Sequence, residues 1–264
     1  MKTKLNKTAF EKIYKDFNDR QLVTNDPLRF LYKYEDIKDR EIVGLIASSL
    51  AYGRVQQIQK SVEIVIEKIH SPNEYILQTS PEMMNASFVD FKHRFTTSKE
   101  LVDFLVSIKR LISEFGSLQD CFYAGYNKND KNIYPALLNF SAQILKGSVC
   151  RNSLMPDPCK KSAFKRLNLY LRWMVRSDNV DPGGWNWIDP SKLIFPLDTH
   201  IQKLGKALGL TVITQNSYKA ACDITEAFKE IAPFDPVKYD FSLTCLSMKN
   251  YDTEKFISDY QMLL

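Results

Sequence analysis

Residues 164–176, FKRLNLYLRWMVR, have the period of a helix and the charge of a ligand-binding surface. Placed at about 100° per residue, Phe164, Leu167, Leu171, Met174 and Val175 fall within an arc of roughly 100° and predict a core-facing stripe on a helix over 161–176. Lys161, Lys165, Arg172 and Arg176 fall within a second arc of roughly 60° beside it. No Asp or Glu lies between positions 164 and 176, so nothing on the helix itself pairs with these cations. Like charges on one stripe repel unless an anion is near, and a phosphate backbone is an obvious anion.

A loop over 177–190 with two tryptophans, Gly183 and Gly184 follows, and then FPLDTH at 195–200. Asp198 precedes an amphipathic segment carrying Ile201, Leu204 and Leu208, so its first role is that of an N-cap. A capping carboxylate is held rigidly by backbone N–H groups and the helix dipole. Facing a lysine, it can also take a proton from the amine or stabilise positive charge developing on a sugar. Lys165 stands near the predicted helix start, beside the apolar stripe and among cations. Partial desolvation and like charge both favour its neutral form, which is the nucleophile. His200, two residues past Asp198, is placed to cap, to contact phosphate or simply to pack.

The chain has 264 residues, 44% of them hydrophobic, enough for one large domain or two lobes sharing a core. Aromatic content is 12% and charged content 25%, which excludes a disordered chain. The formal charge is 36 − 31 = +5, a mild excess that permits nucleic-acid binding without showing it. Five cysteines, Cys121, Cys150, Cys159, Cys222 and Cys245, stand at wide and irregular spacing, which argues against a disulfide framework. No CxxC occurs, so no zinc ribbon is expected, and no metal or cofactor is assigned. The N-terminus lacks an apolar signal core and no run long enough to span a membrane occurs. The expected compartment is the reducing cytoplasm.

Almost every periodic segment reads as helix, and the class is all-α. Helices are expected over 8–16, from Asp26-Pro27 through LRFLYKY, over 36–51 and over 55–69. Ser71-Pro72 and Ser80-Pro81 start short ones. Thr97 and Glu100 make a capping box ahead of a long helix that stops at Gly116. Further helices are read over 134–145, 161–176, 199–208, 216–231, 239–246 and 252–262, with residues 146–160 as a connector.

The lysine-led helix, the loop and the Pro-x-Asp-x-basic turn together resemble the helix-hairpin-helix (HhH-GPD) DNA glycosylase superfamily. The resemblance is closest to its archaeal 8-oxoguanine glycosylase branch, where a catalytic Lys and a later Asp stand about as far apart as Lys165 and Asp198 do, 198 − 165 = 33 residues. From about Asp26 onward the chain is also similar to a bacterial family of unknown function placed within that superfamily. The resemblance implies a two-lobed helical domain over 1–264, with a substrate cleft between the lobes and residues 155–205 carrying the active-site helix and Asp turn. It implies damaged DNA, duplex or single-stranded, as partner, a monomer, and Lys165 and Asp198 as the catalytic pair. Ala51-Tyr52-Gly53-Arg54 occupies the turn that in the superfamily probes the gap left by a flipped base, with Gln56 just after. Gly53 allows close backbone approach, while Tyr52 or Arg54 would wedge or contact phosphate. Trp185 is the most plausible stacking surface of the three tryptophans. Two family features are missing: the glycine-rich hairpin before the lysine, replaced by PDPCKKS at 156–162, and the cluster-binding cysteines. The activity implied is base excision by a glycosylase with AP-lyase function. The alternative is a protein of the same fold that binds nucleic acid without chemistry.

Overall fold

The first helix, α1 (Lys7–Phe17), opens where the Asn6 side chain accepts the Ala9 N–H, and it belongs with the far end of the chain. The computed structural model describes residues 4–148, 152–160 and 162–249. It divides into Met1–Thr24 with Lys161–Leu264, and a middle unit, Asn25–Lys160. Both are helical.

The middle unit opens on a 3-10 segment, Pro27–Lys33, started as expected by Asp26 and Pro27. It winds more tightly than an α-helix, and Leu28 and Leu31, three residues apart, are both fully buried, the spacing that eclipses on a three-residue turn. Next come α2 (Ile37–Ser49), α3 (Val55–Lys68), α4 (Pro72–Gln78) and α5 (Pro81–Ser87). Helix α2 is buried at every position from Glu41 to Ser49, which is why its sequence is apolar nearly all round.

A two-residue-per-strand hairpin, β1 (Lys92–His93) against β2 (Thr96–Thr97), precedes α6 (Ser98–Phe115), α7 (Leu118–Ala124) and α8 (Tyr134–Leu145). No strand is expected from the sequence, because strands this short carry no readable alternation. The capping box of α6 is complete. Thr97 Oγ1 accepts the Glu100 N–H at 3.3 Å, and Glu100 Oε2 accepts the Thr97 N–H at 2.9 Å. Thr97→Ala should therefore cost about 1 kcal/mol, read as a lower urea midpoint with an unchanged slope. Helix α7 also goes unread in the sequence. Its start is secured from 77 positions away, where the buried Glu41 carboxylate accepts the Leu118 N–H at 2.7 Å and the Gln119 N–H at 3.0 Å.

The other unit contains α9 (Lys165–Val175), α10 (Thr199–Ala207), α11 (Tyr218–Lys229) and α12 (Asp240–Lys249). Both α1 and α10 pack on α12. Phe10 of α1 meets Phe228 edge-on at 5.2 Å and Tyr239 at 5.4 Å, and Phe195 stacks on Phe228 at 5.0 Å. Tyr239 Oη donates to Glu11 at 2.7 Å and fixes the first helix to this core. Helix α9 begins at Lys165, not at 161. Phe164 is left-handed, with φ 49°, and Asn168 Nδ2 donates to the Ala163 carbonyl at 2.9 Å, so the chain turns just ahead of the lysine. Lys161 and the helix expected over 252–262 lie outside the described residues.

Candidate active site and the charge network behind it

Lys165 is the first residue of α9, and Asp198 is the N-cap of α10. One carboxylate oxygen, Oδ1, accepts the His200 and Ile201 N–H groups, each at 2.9 Å. The other, Oδ2, lies 3.8 Å from Lys165 Nζ. Capping and lysine pairing thus use different oxygens, so one role does not displace the other. The distance is that of an ion pair without a direct hydrogen bond. Lys165 is 37% exposed and Asp198 19%, leaving the amine open to a ligand and the carboxylate mostly shielded. The His200 side chain is exposed on the first turn of α10, beside the cap.

Arg172 and Arg176 are not part of an anion-binding stripe, and this corrects the reading of the basic helix. Their side chains are 3% and 4% exposed. Arg172 Nε donates to Asp181 Oδ1 at 3.1 Å and Nη1 to Asp240 Oδ2 at 2.5 Å. Arg176 donates to Asp178 at 2.7 Å, to Asp235 at 2.9 Å and to Asp181. Tyr14 Oη adds a bond to Asp178 at 2.8 Å. The partners missing within the helix come from the loop after it, from Asp235 in the segment leading into α12 and from Asp240 at its first residue. Four carboxylates face two guanidiniums, an acidic excess behind the Lys–Asp pair rather than a basic one.

Burial pushes Asp240 up to about 6 despite Arg172, with the Asp198 and Asp181 charges adding to the rise. Burial likewise raises Asp181 and Asp235 against their arginines. Burial works against Asp178 too, but Arg176 and the N–H groups of Asp181 and Val180 hold it below the ordinary carboxylate value. The aspartates at 178 and 181 do carry a signal in the sequence, since they stand two and five positions past Arg176.

Trp185 is also corrected. It is fully buried, edge-on to Tyr170 at 5.2 Å and stacked on Trp187 at 6.3 Å. Its backbone N–H donates to the Met174 carbonyl at 2.8 Å, as that of Gly183 does to the Trp173 carbonyl at 3.0 Å. The loop closes the end of α9, and the Trp185 indole is not open to a ligand.

In the middle unit, Arg54 and Gln56 are exposed at the start of α3. Tyr52 is not a free wedge. Its hydroxyl lies 2.5 Å from Thr96 Oγ1 and donates to the His93 carbonyl at 3.0 Å. Gly53 does permit a close approach, at φ 104°, but to this chain's own Arg94. An added Cβ would sit 2.6 Å from Arg94 Cδ.

Among the described residues no group of three or more His, Cys, Asp or Glu is arranged to hold a metal ion. None of their helices is long and apolar enough to cross a membrane. Fold and site define an all-α protein with a half-exposed Lys–Asp pair standing over a buried Arg–Asp network. The chain belongs to the family described as protein of unknown function, DUF2400, whose model matches residues 26–249. No curated protein and no solved structure matches it.

Proposed function

We propose that this protein is a DNA glycosylase with AP-lyase activity, of the HhH-GPD type, acting in the cytoplasm as a monomer on a damaged base, an oxidised purine first among candidates. The observation that carries the reading is the meeting of Lys165 and Asp198, 33 positions apart in sequence, at 3.8 Å on the first turns of two helices. Unlike the buried pairs of Arg172 and Arg176, this one pairs a partly open amine with a carboxylate already fixed by two backbone N–H groups.

The chemistry is that of an amine nucleophile. Asp198 takes a proton from the Lys165 ammonium. The amine lone pair bonds to the anomeric carbon of the flipped nucleotide as the glycosidic bond breaks. The bond's electron pair leaves on the base, which takes the proton from Asp198. The adduct nitrogen returns a second proton to Asp198. Opening of the sugar ring passes that proton to the ring oxygen and leaves a protonated Schiff base. Loss of the C2′ proton to water then expels the 3′ phosphate and cuts the strand.

Borohydride reduction traps such a Schiff base. On oligonucleotides containing 8-oxoguanine, uracil, hypoxanthine or an abasic site, wild type should form a covalent adduct and Lys165→Ala none. Asp198→Asn keeps a good cap but loses the base, so trapping should slow by about 10²-fold or more. Lys165→Arg should bind and not trap. An adduct that persists in Lys165→Ala, or no wild-type adduct on any substrate, would sink the proposal.

A further inference from the structure

The tip of the β1–β2 hairpin is built for something outside the molecule. Its two turn residues are Arg94 and Phe95. Arg94 holds φ 53°, a left-handed conformation that a non-glycine residue keeps only where its surroundings impose it. The imposing contacts are internal to the middle unit. His93, buried at the base of the turn, shares a hydrogen bond with Ser61 Oγ at 2.8 Å and another with the Tyr52 carbonyl at 3.1 Å. The Tyr52 and His93 rings meet edge-on at 4.6 Å. Thr96, fully buried on the other strand, bonds to Tyr52 and, at 2.6 Å, to Ser153 Oγ. The hairpin is pinned on both strands.

What this rigid base presents is an aromatic ring in water. Phe95 is 73% exposed, and its packing partner is the Arg94 guanidinium, 5.3 Å from the ring centroid. A phenyl ring held so far out contributes little to folding, and pinning its backbone removes the freedom to fold back. The surrounding charge points to the occupant. Residues 51–60 and 90–100 contribute Arg54, Lys60, Lys92, Arg94 and Lys99, all exposed, against one exposed acid, Asp90, and Glu100, whose carboxylate accepts the Thr97 and Ser153 N–H groups. An exposed aromatic ring in a predominantly basic field is the combination that binds a strand by stacking on a base while cations follow the backbone.

We infer that the Arg94–Phe95 tip stacks on an unpaired base of a nucleic-acid strand, with Arg54, Lys92 and Arg94 on its phosphates. This assigns the base contact to the hairpin that Tyr52 supports rather than to Tyr52 itself. It rests on the reading of the protein as one that acts on nucleic acid, but not on the lysine chemistry.

Fluorescence anisotropy with labelled oligonucleotides tests it: single strand, a duplex with one abasic site, and the intact duplex. Phe95→Ala should weaken the first two by about tenfold and leave the intact duplex unchanged, while Phe95→Trp retains affinity. Because the ring is exposed, Phe95→Ala should also unfold at the wild-type temperature. A 2-aminopurine opposite the abasic site should change emission with wild type and not with Phe95→Ala. Equal binding by wild type and Phe95→Ala overturns the inference. So does a wild-type dimer that Phe95→Ala dissociates in sedimentation, which would make the tip an interface between copies. Borohydride trapping on the same oligonucleotides separates the two proposals. Trapping with no Phe95 dependence of binding removes this inference alone, and Phe95-dependent binding without an adduct removes the lyase alone. Absence of all binding removes both.

Discussion

Replacing Arg172 by Met should remove about 3–5 kcal/mol of folding free energy at pH 7, because it leaves the Asp240 carboxylate buried without its guanidinium and Asp181 with Arg176 alone. Asp181 is wholly buried and Asp240 nearly so, and each loses a guanidinium hydrogen bond in the variant. Methionine fills a similar volume, so packing changes less than charge does. The comparison variant is Lys165→Met. It removes a pair whose lysine is 37% exposed, a kind worth at most about 1 kcal/mol. Urea unfolding of both variants decides the matter. If Arg172→Met lies within 1 kcal/mol of wild type, or if Lys165→Met is the worse of the two, the buried network is not what holds α9 in place.

The Arg172 deficit should also shrink in acid. Asp240, already raised to about 6, and Asp181, raised in the same direction, take up protons as pH falls. A neutral carboxyl needs no cation. Measured at pH 5, the gap between Arg172→Met and wild type should be clearly narrower than at pH 7, and an unchanged gap would mean that lost packing, not lost pairing, destabilises the variant.

How far the sequence carried is clearest on this helix. Its apolar stripe is real, since Leu167, Leu171, Met174 and Val175 are all buried. The cations of the same helix have no partner by the i,i+4 rule because that rule sees one helix at a time. Arg172 and Arg176 find their anions in the loop at 178–181 and at Asp235 and Asp240, some sixty residues on. The Lys165–Asp198 pairing was legible through the family resemblance. Of the two residues only Asp198 left a local mark, its cap, whereas α9 starts at Lys165 behind a left-handed Phe164 with no side-chain cap. Local marks also account for the capping box of α6. They are absent where the partner is remote, as with Glu41 at the start of α7. The β1–β2 turn was illegible because its positive-φ residue is Arg94, where the usual signal would be Asn or Gly.

Asp240→Asn should change the pH dependence of stability. The folded protein holds the Asp240 proton up to about 6, against an ordinary value of 3.8. An acid raised on folding binds its proton more tightly in the native state. Its stabilising contribution is therefore complete below about 3.8 and lost as pH rises through about 6. That interval corresponds to about 3 kcal/mol. Asparagine keeps an oxygen to accept the Arg172 N–H but carries no charge to desolvate. Three carboxylates, Asp178, Asp181 and Asp235, still face the two guanidiniums. Relative to wild type, the variant should thus gain up to about 3 kcal/mol between pH 4 and pH 7. The lowered acids act in a different window. Asp178, Glu11 and Glu100 are held below their ordinary values, and their contribution is lost only as pH falls below about 4. They are common to both proteins and cancel in the difference. Urea midpoints of wild type and Asp240→Asn at intervals from pH 4 to pH 8 give that difference directly. Curves that run parallel would show that Asp240 stays charged in the folded protein throughout, and that Arg172 alone outweighs its burial.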